Sequence, residues 1–332
     1  MFYKNPYFDP NKAHHTPTGF RNLENDRILQ TDVQRWQWNR KLKRLPLPPK
    51  MGYDAFAKLW VETPDFAGED DRVWWLGHAS FYFRLNGKYF LTDPTFSPRA
   101  SPFSFMGPPR RVASPALVKD LPALDVLLIS HNHYDHLDSQ TLRHIKQYFP
   151  QVTIIVPLGL KSWFTARGFV HVFEYDWHDK HSAYGVNIYP TPARHWSIRS
   201  GFDRNQSLWC GFLIEYGDWR FYFSGDSGFS DELHKVRQRY GEISMAGLPI
   251  GSYAPKWFMY KQHMDPDDAV KLFMQLGQPL TIAMHWGVFE LADESIDEPP
   301  EHLMQSLKAQ GLGKDKFILI KQGASLPITR TT

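Results

Sequence analysis

The chain reads Val126-Leu127-Leu128-Ile129-Ser130-His131-Asn132-His133-Tyr134-Asp135-His136-Leu137-Asp138 where an apolar strand runs directly into a loop of potential metal ligands. Three imidazoles and one carboxylate fall within six residues of that loop, and such donors suit Zn²⁺ or a similar ion. Four donors on so short a loop cannot all reach one tetrahedral ion without strain. Two ions fit better, with His131 and His133 turned to one and Asp135 and His136 turned to the other. A cluster of surface histidines is the alternative interpretation.

A helix is predicted directly after this loop. Asp138 can cap its first turn, and Leu142, Ile145 and Phe149 follow at helical spacing. The donors are therefore expected where a strand ends and a helix begins.

The loop, with its pattern His-x-His-x-Asp-His after an apolar strand, resembles the metallo-β-lactamase fold superfamily. That resemblance implies an α/β fold, a four-layer αββα sandwich with the metal site at the sheet edge. It also implies further ligands at strand ends, and His195, Asp226 and His285 occupy such positions. The implied first metal is held by His131, His133 and His195. The implied second metal is held by Asp135, His136 and His285, and Asp226 bridges the two.

Two residues earlier in the chain are expected to support this centre. Phe81–Leu85 and Tyr89–Thr92 are predicted strands, joined by a turn at Asn86-Gly87, and Asp93 follows the second strand. The superfamily resemblance implies that Asp93 orients the metal loop from behind rather than binding metal. His78 is expected to be a buried structural or orienting histidine, with direct participation as the alternative.

More of the chain resembles one family within this superfamily, the N-acylphosphatidylethanolamine-hydrolysing phospholipases D. The resemblance covers about residues 73 to 325 and rests on segments around the expected site. These segments include Trp75-Leu76-Gly77-His78-Ala79, Phe90-Leu91-Thr92-Asp93-Pro94 and Trp257-Phe258-Met259-Tyr260-Lys261-Gln262-His263-Met264-Asp265-Pro266.

The family resemblance implies two Zn²⁺ ions per chain and hydrolysis of N-acylphosphatidylethanolamine, or a related phospholipid, to phosphatidic acid and an N-acylethanolamine. Paired cations of this kind lower the pKa of a shared water to about 7. Asp135 and His263 are the expected catalytic residues. Gln262, His263 and Tyr134 are the expected substrate contacts, and His263 is expected to donate to a phosphate oxygen or to the departing group. A helix capped by Asp265 is the competing interpretation of this stretch.

Other functions remain open because one fold hosts many chemistries. The nearest alternative is a metal-dependent lactonase or cyclic phosphodiester hydrolase that acts on a soluble substrate. A diiron redox protein is disfavoured, because related proteins of that kind usually carry a carboxylate where His133 stands. A lipid- or metal-binding protein without catalysis is the alternative outside the enzymes.

Composition narrows the class of protein. The chain has 332 residues, of which 42% are hydrophobic and 15% are aromatic, enough for a large core and suggestive of an apolar cleft. Its net charge of +3 is too small to indicate a nucleic-acid partner. Cys210 is the single cysteine, so no intrachain disulfide can form. Without a predicted signal peptide or membrane-spanning segment, a cytoplasmic or peripherally membrane-attached protein is expected.

The chain is predicted to divide at about residue 70. Residues 1–70 are expected to form an extension with a short basic helix, from Val33 to about Leu45, capped by Asp32. That helix either packs on or beside the main domain or lies on an anionic membrane, and packing is favoured because its apolar stripe is narrow. Residues 71–332 are expected to form the hydrolase domain. A homodimer is left open.

A phospholipid substrate is expected to be reached from the bilayer surface, with apolar side chains holding its tails. The candidates, all in loop-like stretches near proline, are Phe103, Phe105, Met106, Trp257, Phe258 and Met259. Burial of these side chains in a core is the alternative.

Overall fold

The structure is a computed structural model that describes residues 4–24, 26, 29–103 and 105–329. The ends of the two predicted domains, residues 1–3 and 330–332, lie outside the described residues. The boundary at residue 70 stays a prediction.

The described residues form both strands and helices along the chain. The strands are β1 (His15–Thr16), β2 (Gly19–Phe20), β3 (Arg72–Trp75), β4 (Phe81–Leu85), β5 (Lys88–Thr92), β6 (Val126–Leu128), β7 (Thr153–Pro157), β8 (Val172–Tyr175), β9 (His181–Ala183), β10 (Val186–Thr191), β11 (Gly211–Tyr216), β12 (Trp219–Phe223), β13 (Met245–Pro249), β14 (Leu280–Met284), β15 (Phe317–Ile318) and β16 (Ser325–Pro327). The helices are α1 (Gln30–Lys43), α2 (Tyr53–Trp60), α3 (Ser139–Tyr148), α4 (Lys161–Thr165), α5 (Asp231–Tyr240), α6 (Lys256–Met259), α7 (Pro266–Gln275) and α8 (Glu298–Ala309).

Two seven-stranded sheets form the body of the part of the chain that the structure describes. The first has the order β16-β3-β4-β5-β6-β7-β8, and the second has the order β15-β14-β13-β12-β11-β10-β9. Each sheet is antiparallel on one side and parallel on the other, with the change at β5 in the first sheet and at β12 in the second. The turn between β4 and β5 has positive φ at both Asn86 and Gly87, which confirms the predicted hairpin turn.

The inner faces of the two sheets pack on each other through aromatic side chains. Phe81 and Phe83 of β4 lie 5.2 Å and 4.9 Å, between ring centroids, from Phe221 of β12. Side chains at alternate positions of a strand point to opposite faces, so Tyr82 lies on the other side of its sheet, in a separate cluster with Leu142 and Ile145 of α3. Each fully buried side chain of this size stabilises the fold by roughly 1.5 to 3 kcal/mol.

Helices cover the outer faces of both sheets. Leu142 of α3 and Phe164 of α4 pack on the first sheet, and Phe273 of α7 lies 5.4 Å from Phe317 of the second sheet. The layers therefore run helix, sheet, sheet, helix, which confirms the predicted fold class. Asp138 accepts a hydrogen bond from the N–H of Gln140 and Asp265 accepts one from Asp268, so both predicted helix caps are confirmed.

This architecture brings several strand ends to one edge of the sandwich. In the first sheet, β5 and β6 are parallel neighbours, followed by Asp93 and by the 130–138 loop. In the second sheet, β12, β13 and β14 are parallel, and Asp226 and His285 follow the outer two of these strands. Carboxyl ends of parallel strands lie at the same sheet edge, so donors distant in the chain meet there.

The segment that precedes β3 makes several contacts with the sandwich. Asp176 accepts hydrogen bonds from Lys12 Nζ at 2.5 Å and bonds to the Nε2 atoms of His14 at 2.7 Å and His15 at 2.9 Å. The positive charge of Lys12 beside this carboxylate would repel a divalent cation. The cluster is therefore interpreted as an ion-paired anchor rather than a metal site. The cluster ties β1 and its flanking residues to the strand end after β8.

Helix α1 touches the body through one face. Trp36 stacks on Phe258 at 5.2 Å and donates to Asp293 Oδ1 at 3.0 Å, and Arg40 donates to the carbonyl oxygen of Leu291 at 2.9 Å. The predicted cap by Asp32 is wrong. The helix begins earlier, at Gln30, with Leu29 at its N-cap and no side-chain cap, which leaves Asp32 inside the first turn. There its carboxylate still interacts favourably with the positive end of the helix dipole. None of the described helices combines the length and the apolar character that crossing a lipid bilayer requires.

A buried carboxylate, Glu294, holds the chain between β13 and α6. Its oxygens accept the N–H of Ser252 at 2.5 Å and the N–H of Ala254 at 3.0 Å. Burial raises the pKa of Glu294 to about 7, although these backbone donors favour the charged form. The loop that leads to α6 and Gln262 therefore depends on a carboxylate that is costly to ionise.

This raised pKa predicts how stability changes with pH. Between about pH 4.5 and pH 7 the folded protein keeps a proton on Glu294 that the unfolded chain has released, so stability falls as pH rises through that window. Glu294→Gln removes this contribution, so wild-type stability should fall relative to the variant by up to about 3 kcal/mol between about pH 5 and pH 8. Urea unfolding at both pH values measures the difference. A difference independent of pH for Glu294→Gln would contradict the prediction.

Candidate metal centre

Three imidazoles converge at one point of the strand edge. His131 Nε2 lies 2.9 Å from His133 Nδ1, and His195 Nε2 lies 3.2 Å from the same atom. Ligand nitrogens bound at about 2.0 to 2.1 Å to a tetrahedral ion are separated by about 3.3 Å, close to these distances. The structure thus brings together the three residues predicted to hold the first metal.

A second group of donors lies beside the first. His136 Nε2 is 3.3 Å from His285 Nε2, and Asp135 Oδ2 is 3.4 Å from the first nitrogen and 3.5 Å from the second. His131, Asp135, His136, His195 and His285 are all buried, and His133 is half-buried. The three residues predicted to hold the second metal are therefore also neighbours.

Asp226 lies between the two groups. Its Oδ2 is 3.1 Å from His136 Nε2 and 3.8 Å from His195 Nε2, and its Oδ1 is 3.0 Å from His285 Nε2. One carboxylate thus faces donors of both groups, the position that the predicted bridging role requires.

The two groups differ in their affinity for protons. Burial lowers the pKa of His131 and His195 well below the usual value and lowers that of His133 to about 4, so all three are neutral near pH 7. Burial also opposes the charged form of His285 and His136. At these two residues the carboxylates outweigh burial and raise the pKa, to about 9 for His285.

These donors fit metal ions better than they fit one another. Neutral imidazoles that face each other at 2.9 to 3.2 Å cannot share enough protons to satisfy every lone pair. Nitrogen and carboxylate donors in two adjoining groups suit Zn²⁺ or a similar borderline ion.

Asp93 connects the metal loop to the first sheet. Its Oδ2 lies 2.7 Å from His136 Nδ1 and accepts from Ser130 Oγ at 2.5 Å, and that hydroxyl lies 2.9 Å from His131 Nδ1. The carboxylate therefore orients one histidine of each group directly or through Ser130, and its geometry matches the predicted supporting role.

His78 lies behind the second group. Its Nε2 is 3.0 Å from Asp135 Oδ2, and its carbonyl oxygen accepts the N–H of His285 at 2.9 Å. His285 has a φ of 60°, in the left-handed region. Residues other than glycine keep this backbone conformation when the surrounding structure holds them in it. The ligand atoms of His78, Asp135, His136 and His285 thus all lie within 4.8 Å of one another, so His78 contacts the donors of the second group directly.

The loop after α6 brings Gln262 and His263 to the same edge. The carbonyl oxygen of Gln262 lies 2.9 Å from His195 Nδ1 and fixes that ring with Nε2 toward His133. His263 Nδ1 is 3.9 Å from Asp226 Oδ2 and has no hydrogen-bond partner among the described residues. Burial lowers the pKa of His263 to about 4, so it is a neutral donor or acceptor near pH 7.

A cleft of about 470 Å³ opens beside the centre. Tyr134 lines this cleft, and its hydroxyl already donates a hydrogen bond to the carbonyl oxygen of Arg199. The other lining residues are Ala100, His133, Asp135, Trp196, Ile198, Arg199, Ser200, Gly201 and Leu291.

Exposed apolar side chains lie close in the chain to residues that line this cleft. Phe103, Phe105 and Met106 are exposed in the loop after Ala100, and Phe202 is 93% exposed next to Gly201. Trp257 is also exposed. The expectation that Phe258 and Met259 face outward is wrong, because both pack beneath Trp36 of α1.

Sequence reasoning missed three residues that lie beside the centre or line its cleft. Asn22 accepts the N–H of His195, Asp26 pairs with Arg194, and Arg199 lines the cleft. Asn22 and Asp26 precede any strand-end pattern and reach the centre only through folding. Arg199 follows His195 by four residues, so its closeness in the chain was an available signal.

The comparisons with known proteins agree with this geometry. A family model described as a beta-lactamase superfamily domain matches residues 88–286. The chain is 37% identical to N-acyl-phosphatidylethanolamine-hydrolyzing phospholipase D 1 of Caenorhabditis elegans, over 79% of this chain and 78% of the relative. It is 36% identical to the mitochondrial N-acyl-phosphatidylethanolamine-hydrolyzing phospholipase D of Saccharomyces cerevisiae, over 73% of this chain and 53% of the relative.

A solved structure shares the fold at lower identity. The isothiocyanate hydrolase from Delia radicum gut bacteria superposes with a TM-score of 0.63 at 20% identity, over 78% of this chain and all of that one. Identity at this level shows the fold alone, whereas the two phospholipase relatives show the family. The chain is therefore a metal-dependent hydrolase that belongs to the N-acylphosphatidylethanolamine-hydrolysing phospholipase D-like family of the metallo-β-lactamase superfamily.

Proposed function

We propose that this protein is a dinuclear zinc phosphodiesterase that hydrolyses N-acylphosphatidylethanolamine, or a related phospholipid, to phosphatidic acid and an N-acylethanolamine. The observation that carries the proposal is the position of Asp226 between two groups of donors, 3.1 Å from His136 and 3.8 Å from His195. The names of the relatives at 36% and 37% identity support the substrate class.

Two bound ions would supply Lewis acidity and a water of lowered pKa, with His131, His133 and His195 holding one, Asp135, His136 and His285 the other, and Asp226 both. The chain's own residues would then position the phosphodiester. His263 has a ring nitrogen without a partner near Asp226, so it can donate to a nonbridging phosphate oxygen or to the departing oxygen. Arg199 lines the cleft and stays charged near pH 7, because burial lowers its pKa only to about 10.

The surface around the cleft supports a substrate held in a lipid bilayer. Phe105 is 77% and Phe202 is 93% exposed. Each lies in a loop that also contains a cleft-lining residue, Ala100 in the first loop and Gly201 in the second. Covering large exposed apolar side chains with a lipid phase is favourable, because it removes apolar surface from water. Peripheral membrane contact at this rim would bring the cleft to the bilayer surface.

Metal content tests the proposed dinuclear centre. Fully loaded protein should contain about two equivalents of zinc per chain, measured by elemental analysis. Asp226→Ala removes the residue between both groups, so it should lower the second equivalent's affinity and reduce hydrolysis by several orders of magnitude. His144→Ala, on the exposed side of α3, should leave both unchanged. One equivalent with full activity would contradict a dinuclear centre.

The substrate is tested by comparing a lipid with soluble compounds. N-acylphosphatidylethanolamine in vesicles should be cleaved to phosphatidic acid, whereas soluble cyclic phosphodiesters and lactones should be poor substrates. Mass spectrometry of both products measures the reaction. Equal or faster turnover of a soluble phosphodiester or lactone, without dependence on lipid, would favour the alternative hydrolases.

Membrane contact is tested at the apolar rim of the cleft. Phe105→Ala combined with Phe202→Ala should weaken binding in liposome flotation by about 100- to 10,000-fold, because each lost ring contributes on the order of 1.5 to 3 kcal/mol when fully covered and about 1.4 kcal/mol is a factor of ten in affinity. High salt should change wild-type binding little. Phe173→Ala, at an exposed phenylalanine of β8 outside the cleft lining, is the matched control. Binding lost in salt but kept in the double variant would show that charge rather than apolar contact docks the protein.

A further inference from the structure

Asn22, in the segment before α1, contacts the backbone of a proposed metal ligand. Its Oδ1 accepts the N–H of His195 at 3.1 Å and the indole N–H of Trp209 at 3.2 Å. Trp209 also donates to the carbonyl oxygen of Ala193 at 2.9 Å. One side-chain oxygen therefore joins the loop that carries His195 to a buried tryptophan behind it.

The loop that carries His195 has no regular strand to hold it. Strand β10 ends at Thr191, and the backbone of Arg194 is held from elsewhere, with its N–H donating to Ser227 Oγ and its carbonyl accepting the N–H of Gly228. The next N–H, that of His195, is buried and is met by Asn22. Because buried N–H groups need a partner, the path of the backbone at His195 depends on this contact.

The segment that supplies Asn22 is itself fixed on both sides. After Asn22, Asp26 pairs with the guanidinium of Arg194 through two contacts of 2.5 Å and 2.7 Å. Before it, the N–H of Arg21 donates to the carbonyl oxygen of His14, and His14 bonds to Asp176. Contacts of its neighbours with the sandwich therefore hold Asn22 in place.

Two contacts together define where the His195 ring points. Asn22 fixes the main chain, and the carbonyl oxygen of Gln262 fixes Nδ1, which leaves Nε2 3.2 Å from His133 Nδ1. Partners that orient a ligand in this way tune metal affinity although they do not touch the ion.

We propose that Asn22 is a positioning residue that sets the geometry of His195 in the first metal group, and that the segment before α1 is thereby part of the metal centre. The inference rests on the proposed role of His195 as a ligand. It assigns to residues outside the 88–286 match a function in metal binding.

Two substitutions of similar size separate the hydrogen bond from the volume of the side chain. Asn22→Leu removes the acceptor, and zinc affinity, measured by competition with a chelator, should fall about 10- to 100-fold. Asn22→Asp keeps an oxygen that accepts both N–H groups, and its affinity should stay close to that of wild type. The visible spectrum of the cobalt-substituted protein reports the ligand geometry independently of activity, and it should change in Asn22→Leu and not in Asn22→Asp.

Control variants distinguish this inference from the centre on which it rests. His195→Ala should lose one metal equivalent; if it binds metal as wild type does, the proposed centre itself fails. Asn11→Leu, at an exposed position of the same segment, should bind zinc normally. If His195→Ala loses metal while Asn22→Leu keeps wild-type affinity and cobalt spectrum, the positioning role is overturned. Failure of metal-free Asn22→Leu and Asn22→Asp alike to unfold cooperatively would overturn it too, in favour of a general structural role.

Discussion

The burial of carboxylates among imidazoles is the constraint on which the rest of this structure depends. Asp93, Asp135 and Asp226 are all buried, and a buried carboxylate is costly unless cations or hydrogen-bond donors compensate it. His136 contacts all three, which explains why its pKa is raised although burial opposes the charged form. In the metal-free chain, protons on His136 and His285 provide the compensation that metal ions would otherwise supply.

The two packed sheets bring these buried polar groups together at one edge. Parallel strands from two sheets end at one edge, so each donor needs to leave its strand by only a few residues. The aromatic core between the sheets, with Phe81, Phe83 and Phe221 in contact, holds those strand ends in fixed relation. A rigid scaffold of this kind allows strained backbone to persist at the site, as the positive φ of Asp93 and His285 shows.

The segments outside the central sandwich are connected to the site rather than appended to it. The carbonyl oxygens of Glu290 and Leu291, beside the cleft, accept hydrogen bonds from Arg40 of α1, and Asn22 and Asp26 contact the loop of His195. At the opposite end of the early segment, Asp176 gathers Lys12, His14 and His15. The rim of the cleft differs in character, because the side chains of Phe105 and Phe202 are exposed to solvent.

The sequence by itself determined the features that depend on near neighbours in the chain. Apolar runs gave the strands, Asn86-Gly87 gave the hairpin turn, and Asp138 and Asp265 gave helix caps, because each requires contacts within a few residues. The grouping of distant ligands followed from resemblance rather than from spacing. Only the tertiary structure decided that Phe258 lies beneath Trp36 and that Asn22 meets His195 across 173 residues. Such contacts depend on how whole elements pack, and no local pattern in the chain encodes them.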